Sequence, residues 1–149
     1  TATQTTHLVV DGKLETLVHN SATATHFGLQ TTGHASRSPK STLGVSLHQM
    51  EIPAGTDNDA SMRAGKYLEL TNLDGLHSGN AISGDFSFGA AGYLCRNGER
   101  IQPVRGITVA GNFYQMLKKI VAIGDVQRWN WERESLMPSI RFSDVAISG

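Results

Sequence analysis

The sequence predicts an α+β domain that is mainly β: a curved or barrel-like antiparallel sheet with hairpins and one or two helices. Three observations carry that expectation. Sixteen glycines and only 7% aromatic residues point to many tight turns and close backbone approaches. Two Asx-Gly pairs, Asp11-Gly12 and Asn97-Gly98, each stand between β-prone runs. Such pairs readily take the positive φ that a two-residue hairpin turn needs at both central positions. Finally, one segment alone carries a good 3,4-spaced apolar stripe.

Taken in order, His7 to Val18 reads as a hairpin turning on Asp11-Gly12. Asn20 and Ser21 are good caps for a short helix beginning at Ala22, which Gly28 or Gly33 stops after one or two turns. Ser36 to Lys40 is an exposed loop, and Leu43 to Ile52 alternates well enough for a strand. Pro53 to Arg63 is rich in Gly, Asp, Asn and Ser and reads as a second loop, followed by a short strand over Tyr67 to Leu70.

Between Asp74 and Gly92 there are five glycines, at 75, 79, 84, 89 and 92. Each costs a helix about 1 kcal/mol against alanine, so a bulged strand is the better reading. Tyr93 to Ile101 is the second hairpin, on Asn97-Gly98. Pro103 demotes its returning strand to an edge or ends its first half, and Ile107 to Ala110 resumes it. Asn112 caps the expected best helix, whose stripe is Phe113, Met116, Leu117 and Ile120 and whose stop is Gly124. Ile140 to Ile147 closes the chain as a strand.

The totals limit the function classes. A length of 149 residues suits one domain, 1–149, with a real core. Thirteen basic and thirteen acidic residues leave no net charge, which argues against a nucleic-acid partner held by a broad basic patch. Cys95 has no second cysteine to pair with, no apolar run reaches the roughly 20 residues of a membrane span, and the N-terminus has no signal-peptide pattern. The start lacks an initiator Met. The expectation is a soluble, intracellular piece of a longer chain, with no membrane partner.

Candidate chemistry is sparse. The histidines at 7, 19, 26, 34, 48 and 77 include no i, i+4 pair and none is followed by glutamate, so no zinc-helix motif is present. Cys95 has no visible activating base and reads as a small buried side chain in preference to a nucleophile. The glycine-rich run leads into a hairpin and lacks a Gly-Lys-Ser/Thr ending, so it is not a phosphate loop. Its value is either open backbone for a neighbouring strand or peptide, or bulges needed to close a barrel. Trp129 and Trp131, with Arg128, Glu132, Arg133 and Glu134, form an aromatic and charged cluster. It suits a protein interface or a cover over one end of the core.

Thr32-Gly33-His34-Ala35, Gly79-Asn80, Ser83 to Tyr93, Asn97-Gly98-Glu99, Pro103-Val104, Ile107 to Asn112, Ile120 to Asp125 and Leu136 to Ile140 follow one another in order. Together they resemble the TldD/PmbA family, best on its TldE/PmbA side and in its C-terminal portion. The resemblance implies a cytoplasmic heteromeric peptidase system. It is linked to maturation of peptide antibiotics such as microcin B, to degradation of an antitoxin, and to an older label, modulator of DNA gyrase. TldD-type subunits of such a system carry a zinc-binding helix motif and a cysteine ligand near the C-terminus, and TldE-type subunits lack both. Here the corresponding stretch reads Arg128-Trp129-Asn130-Trp131-Glu132-Arg133-Glu134, with no cysteine.

The resemblance therefore implies a non-catalytic subunit with no cofactor of its own, zinc being expected only in a TldD-like partner. Further partners are a peptide substrate and a second copy of the chain. No catalytic or metal-ligating residue is assigned. The candidate contact residues are Gly79, Asn80, Gly84, Asp85, Phe86, Gly89, Gly92, Trp129 and Trp131. A stand-alone β-rich peptide- or ligand-binding module is the alternative, and a Cys95 hydrolase a third reading.

Overall fold

A computed structural model describes residues 2 and 4–149, in two compact units: Thr1–Met50 with Trp131–Ser135, and Glu51–Asn130 with Leu136–Gly149. In the first unit, strands β1 (Val9–Val10) and β2 (Lys13–Leu14) pair antiparallel around Asp11 and Gly12. The two turn residues have φ of 50° and 75°, the mirror-image turn expected of this pair. Helix α1 (Ser21–Phe27) is set by its caps. The Asn20 side chain accepts from the Thr23 amide while the Asn20 amide donates to Thr23 Oγ1, and Gly28 ends the helix at φ 66°. Strands β3 (Ala35–Ser36) and β4 (Gly44–Val45) make a second two-stranded pair.

The expected strand over Leu43 to Ile52 is two strands. Its beginning, β4, pairs with β3, whereas its end, β5 (Met50–Glu51), joins a three-stranded sheet of order β5-β10-β9. One extended run cannot serve both partners, so the chain bends between them.

In the second unit, the loop over 53–63 contains a single turn, α2 (Asp59–Met62), capped by Asn58. The main sheet has the order β11-β8-β7-β6, all antiparallel, from β6 (Lys66–Asp74), β7 (Asp85–Arg96), β8 (Glu99–Asn112) and β11 (Ala146–Ser148). Asn97 and Gly98, at φ 49° and 88°, turn β7 into β8. Pro103 stays inside β8 opposite Tyr93, where no strand among the described residues pairs on its other side; β11 covers only Thr108 to Ala110. That is the edge position a residue without N–H tolerates. Buried Ala90, Ile107 and Val109 form the core of this sheet, with Leu68, Phe86, Val104 and Val145 packed on them.

The expected helix after Asn112 is a correction. Asn112 does cap a turn, α3 (Phe113–Met116), but a single 3-10 turn over Leu117–Lys119 follows and Ile120 already opens β9 (Ile120–Trp129). The run Ile120-Val121-Ala122-Ile123 is largely β-branched and favours an extended backbone. Gly124 is no stop: it is buried within β9, where its carbonyl accepts from the Gly55 amide. Strand β10 (Ser135–Phe142) returns along β9, so the expected closing strand is divided between β10 and β11. The mainly β, hairpin-built architecture is as expected, but each sheet is open and none closes into a barrel among the described residues.

Candidate functional site

The glycine-rich run does not extend as one strand. Gly75, at φ 76°, starts a 3-10 turn over Leu76–Ser78, and a tight loop over 80–84 precedes β7. This loop is built by side chains that replace regular pairing. Asn80 Oδ1 accepts from the amides of Ile82 and Ser83, and the Gly84 amide donates to the Asn80 carbonyl. The Gly84 carbonyl then accepts from the Phe113 amide, which ties the loop to the start of α3.

Between that loop, β7 and α3 lies a groove of about 260 Å³, lined by Gly79, Asn80, Ala81, Gly84, Asp85, Phe86, Phe88, Phe113 and Tyr114. Four aromatic rings make its walls. Phe86 and Phe88, two apart on β7, share a face and stack with centroids 5.1 Å apart. Phe113 and Tyr114 meet edge to face at 6.0 Å, and Tyr114 Oη donates to the Ala81 carbonyl at 2.8 Å.

Two glycines make room for the rings. Gly84 has φ 82°, and a Cβ there would lie 2.5 Å from Tyr114 Cδ2. A Cβ on Gly79 would lie 3.2 Å from Phe88 Cζ. The loop's glycines therefore serve ring packing and a left-handed turn, with no requirement for a barrel closure.

Asp85 supplies the charge. Its Oδ1 accepts from Asn112 Nδ2 at 2.8 Å and its Oδ2 from Ser83 Oγ at 2.7 Å. Those bonds, Asn112 first and Ser83 second, hold the Asp85 carboxyl below the ordinary carboxylate range. Asn112 also donates to the Ser83 carbonyl and accepts from the Gln115 amide, so one side chain ties loop, strand and helix cap together. Two of the lining rings, Phe113 and Tyr114, are exposed, as are Ile82 of the 80–84 loop (93%) and Leu76 of the preceding turn.

Of the nine residues expected from sequence, five stand together here: Gly79, Asn80, Gly84, Asp85 and Phe86. Gly89 instead pairs with Asp74, and Gly92 sits at a bulge where the Glu69 carbonyl occupies the place a Cβ would need. Trp129 ends β9, half exposed, while Trp131 is 96% exposed in the β9–β10 connection and belongs to the other unit. Phe88, Phe113 and Tyr114 were missed. The Phe86/Phe88 alternation was a usable signal; Phe113 was absorbed into a helical stripe.

Cys95 lies on β7 with none of its surface exposed. Its Sγ donates towards Glu69 Oε2 at 3.6 Å and the Tyr93 carbonyl at 3.5 Å. The same Glu69 forms a two-point pair with Arg100, whose guanidinium lies 4.3 Å above the Tyr93 ring. Among the described residues no three His, Cys, Asp or Glu side chains come close enough to hold a metal ion. No helix among the described residues is long and apolar enough to cross a membrane.

Residues 1–149 match the family described as PmbA/TldA metallopeptidase C-terminal domain. The chain belongs to the PmbA/TldD family. It is 36% identical over 126 residues to metalloprotease PmbA of Escherichia coli O157:H7, a match that covers 83% of this chain and 26% of that protein. A solved structure from Thermotoga maritima MSB8, described as a modulator of a DNA gyrase, superimposes with a TM-score of 0.83 at 28% identity. That match covers 98% of this chain and 33% of the other. TldE of Thermococcus kodakarensis shares the fold, with a TM-score of 0.87 at 24% identity over 99% of this chain and 34% of that one. The chain therefore spans about a quarter to a third of the length of these PmbA/TldD relatives.

Proposed function

We propose that this chain is the C-terminal part of a TldE-type, non-catalytic subunit. It works in the cytoplasm with a TldD-like metallopeptidase and helps present peptides for processing or degradation. The observation that carries the reading is the placement of Cys95. The sole thiol of this chain is buried in the sheet beside Glu69 and Tyr93, which supports a role other than nucleophile. Family membership supplies the peptidase context, and the open aromatic groove supplies a surface on which a peptide or partner can rest. Zinc, in this reading, is held by the TldD-like subunit.

The groove also favours a second reading, a stand-alone peptide-binding module. Both are tested by mixing the full-length protein with its TldD-like subunit and following size-exclusion elution, bound zinc and peptidase activity. The subunit reading expects a stable complex, zinc on the partner and activity only in the mixture. Peptidase activity or stoichiometric zinc in the full-length protein alone refutes it. A protein that binds peptide but never associates with the partner establishes the second reading instead.

A further inference from the structure

We propose that the groove between the 80–84 loop, β7 and α3 holds the side chain of a lysine or arginine presented by the peptide. The inference rests on the peptide-handling reading above and names the side chain that this surface selects.

The groove joins two chemistries that one basic side chain satisfies at once. Its walls are the rings of Phe86, Phe88, Phe113 and Tyr114, which suit an aliphatic stem. Ring faces also attract a cation through their quadrupoles. Asp85 also lines the groove, and its carboxylate, which accepts from Asn112 and Ser83, is negative at neutral pH as an ordinary aspartate is. Both donors are neutral, so the negative charge is stabilised without being cancelled. Among the described residues no Lys or Arg forms an ion pair with Asp85, and none stacks on the four groove rings.

Size and charge narrow the occupant further. About 260 Å³ is below the range of about 300–1,000 Å³ usual for small-molecule sites, and fits one long side chain in preference to a cofactor. An acidic side chain would meet Asp85 as a like charge. An uncharged aliphatic chain of the same length would fill the walls and leave the carboxylate unpaired.

The test uses the full-length protein and three fluorescein-labelled host peptides, identical but for lysine, norleucine or glutamate at the central position. Fluorescence anisotropy reads their dissociation constants at low and high salt. The lysine peptide is expected to bind about tenfold more tightly than the norleucine peptide, the combined worth of a partly exposed cation–π contact and a surface charge pair. The glutamate peptide is expected to bind most weakly, and the lysine preference to shrink as salt rises.

Asp85→Asn keeps an acceptor for Asn112 and should reduce the lysine preference to what the rings alone give, about two- to fivefold. Phe88→Leu, which removes one wall and leaves the charge, should weaken both peptides. Equal or tighter binding of norleucine by the unaltered protein overturns the proposal while leaving peptide handling intact. If none of the three peptides binds, alone or with the TldD-like subunit present, the peptide-handling reading fails and this inference with it.

Discussion

Gly84→Ala tests whether the groove is built as described, because two separable costs meet at that residue. The first is conformational: φ is 82°, a left-handed backbone that costs an L-residue about 1–2 kcal/mol. The second is steric. The new Cβ would stand 2.5 Å from Tyr114 Cδ2 and 2.7 Å from Cε2, so the ring must swing away. Moving it gives up the Oη bond to the Ala81 carbonyl, worth about 0.5–1.5 kcal/mol, and adds overpacking of about 1–3 kcal/mol. Gly75→Ala is the matched control, since Gly75 has φ 76° and nothing within 4 Å of its Cβ. Hydrogen exchange of the 80–84 loop and the start of α3 reads the local opening free energy in the full-length protein. Gly75→Ala should lower that of its own turn by about 1–2 kcal/mol. Gly84→Ala should cost the groove about 2.5–6.5 kcal/mol in all. Adding Tyr114→Ala to Gly84→Ala should return part of the difference, as residues in contact do in a double-mutant cycle. If Gly84→Ala costs no more than its control, Tyr114 does not pack on the glycine and the groove's wall is misplaced.

Three other changes probe the frame around the groove. Gly92→Ala puts a Cβ where the Glu69 carbonyl lies, so β6 must separate from β7; thermal melting and exchange of β6 should show a loss of at least about 1–3 kcal/mol. Glu69 is held below the ordinary carboxylate range chiefly by its hydrogen bond from Arg100, while its burial acts against this. Its contribution is therefore present above the unfolded carboxylate pKa, near 4.5, and lost as pH falls through the lower folded value. Because both partners are partly exposed, Glu69→Gln should cost only about 0.2–1 kcal/mol at pH 7, with the mutant losing less stability than wild type on acidification in denaturant titrations. Cys95→Ala should leave any activity of the mixed subunits unchanged, and the native thiol should react with a disulfide reagent only after denaturation. Loss of activity at equal folding would revive the hydrolase reading.

What was legible in the sequence was local. The two Asx-Gly turns, the Asn20 capping box and the Asn112 cap involve residues within a few positions of one another, and their backbone preferences suffice to place them. What misled was composition read without pairing. The stripe Phe113, Met116, Leu117, Ile120 has helical spacing, yet Ile120 is the first residue of a strand paired with Phe142. That partner lies far along the chain, and no local pattern announces it. The strand over Leu43 to Ile52 failed for the same reason, since its two ends pair with different strands. At the groove, the dense glycines and Asp85 lie on or beside the loop that forms one of its sides. The rings that give the loop its use come from β7 and α3, and only the fold brings them together.

The Asp85-Ser83-Asn112 arrangement bears on why this surface is held so firmly. A loop tip with an isoleucine 93% exposed gains nothing in stability from its own apolar side chain. Its backbone is nevertheless fixed by bonds from Asn80, Gly84, Asn112 and Tyr114, and each ordered residue costs about 1–2 kcal/mol of backbone entropy. Ordering an exposed apolar loop in advance removes that cost from a later binding step, which is the general advantage of preorganisation. In the subunit reading proposed above, the chemistry of the peptidase would stay with the subunit that holds the metal, and this chain would contribute shape and one fixed charge. On that argument Asn112→Ala is the sharper probe of function than any change in the sheet core. It removes the side chain that joins loop, strand and helix cap while leaving the ring walls and Asp85 in the sequence. It should weaken peptide binding through loop mobility, seen as faster exchange over 80–84, with little change in the melting of β7 and β8.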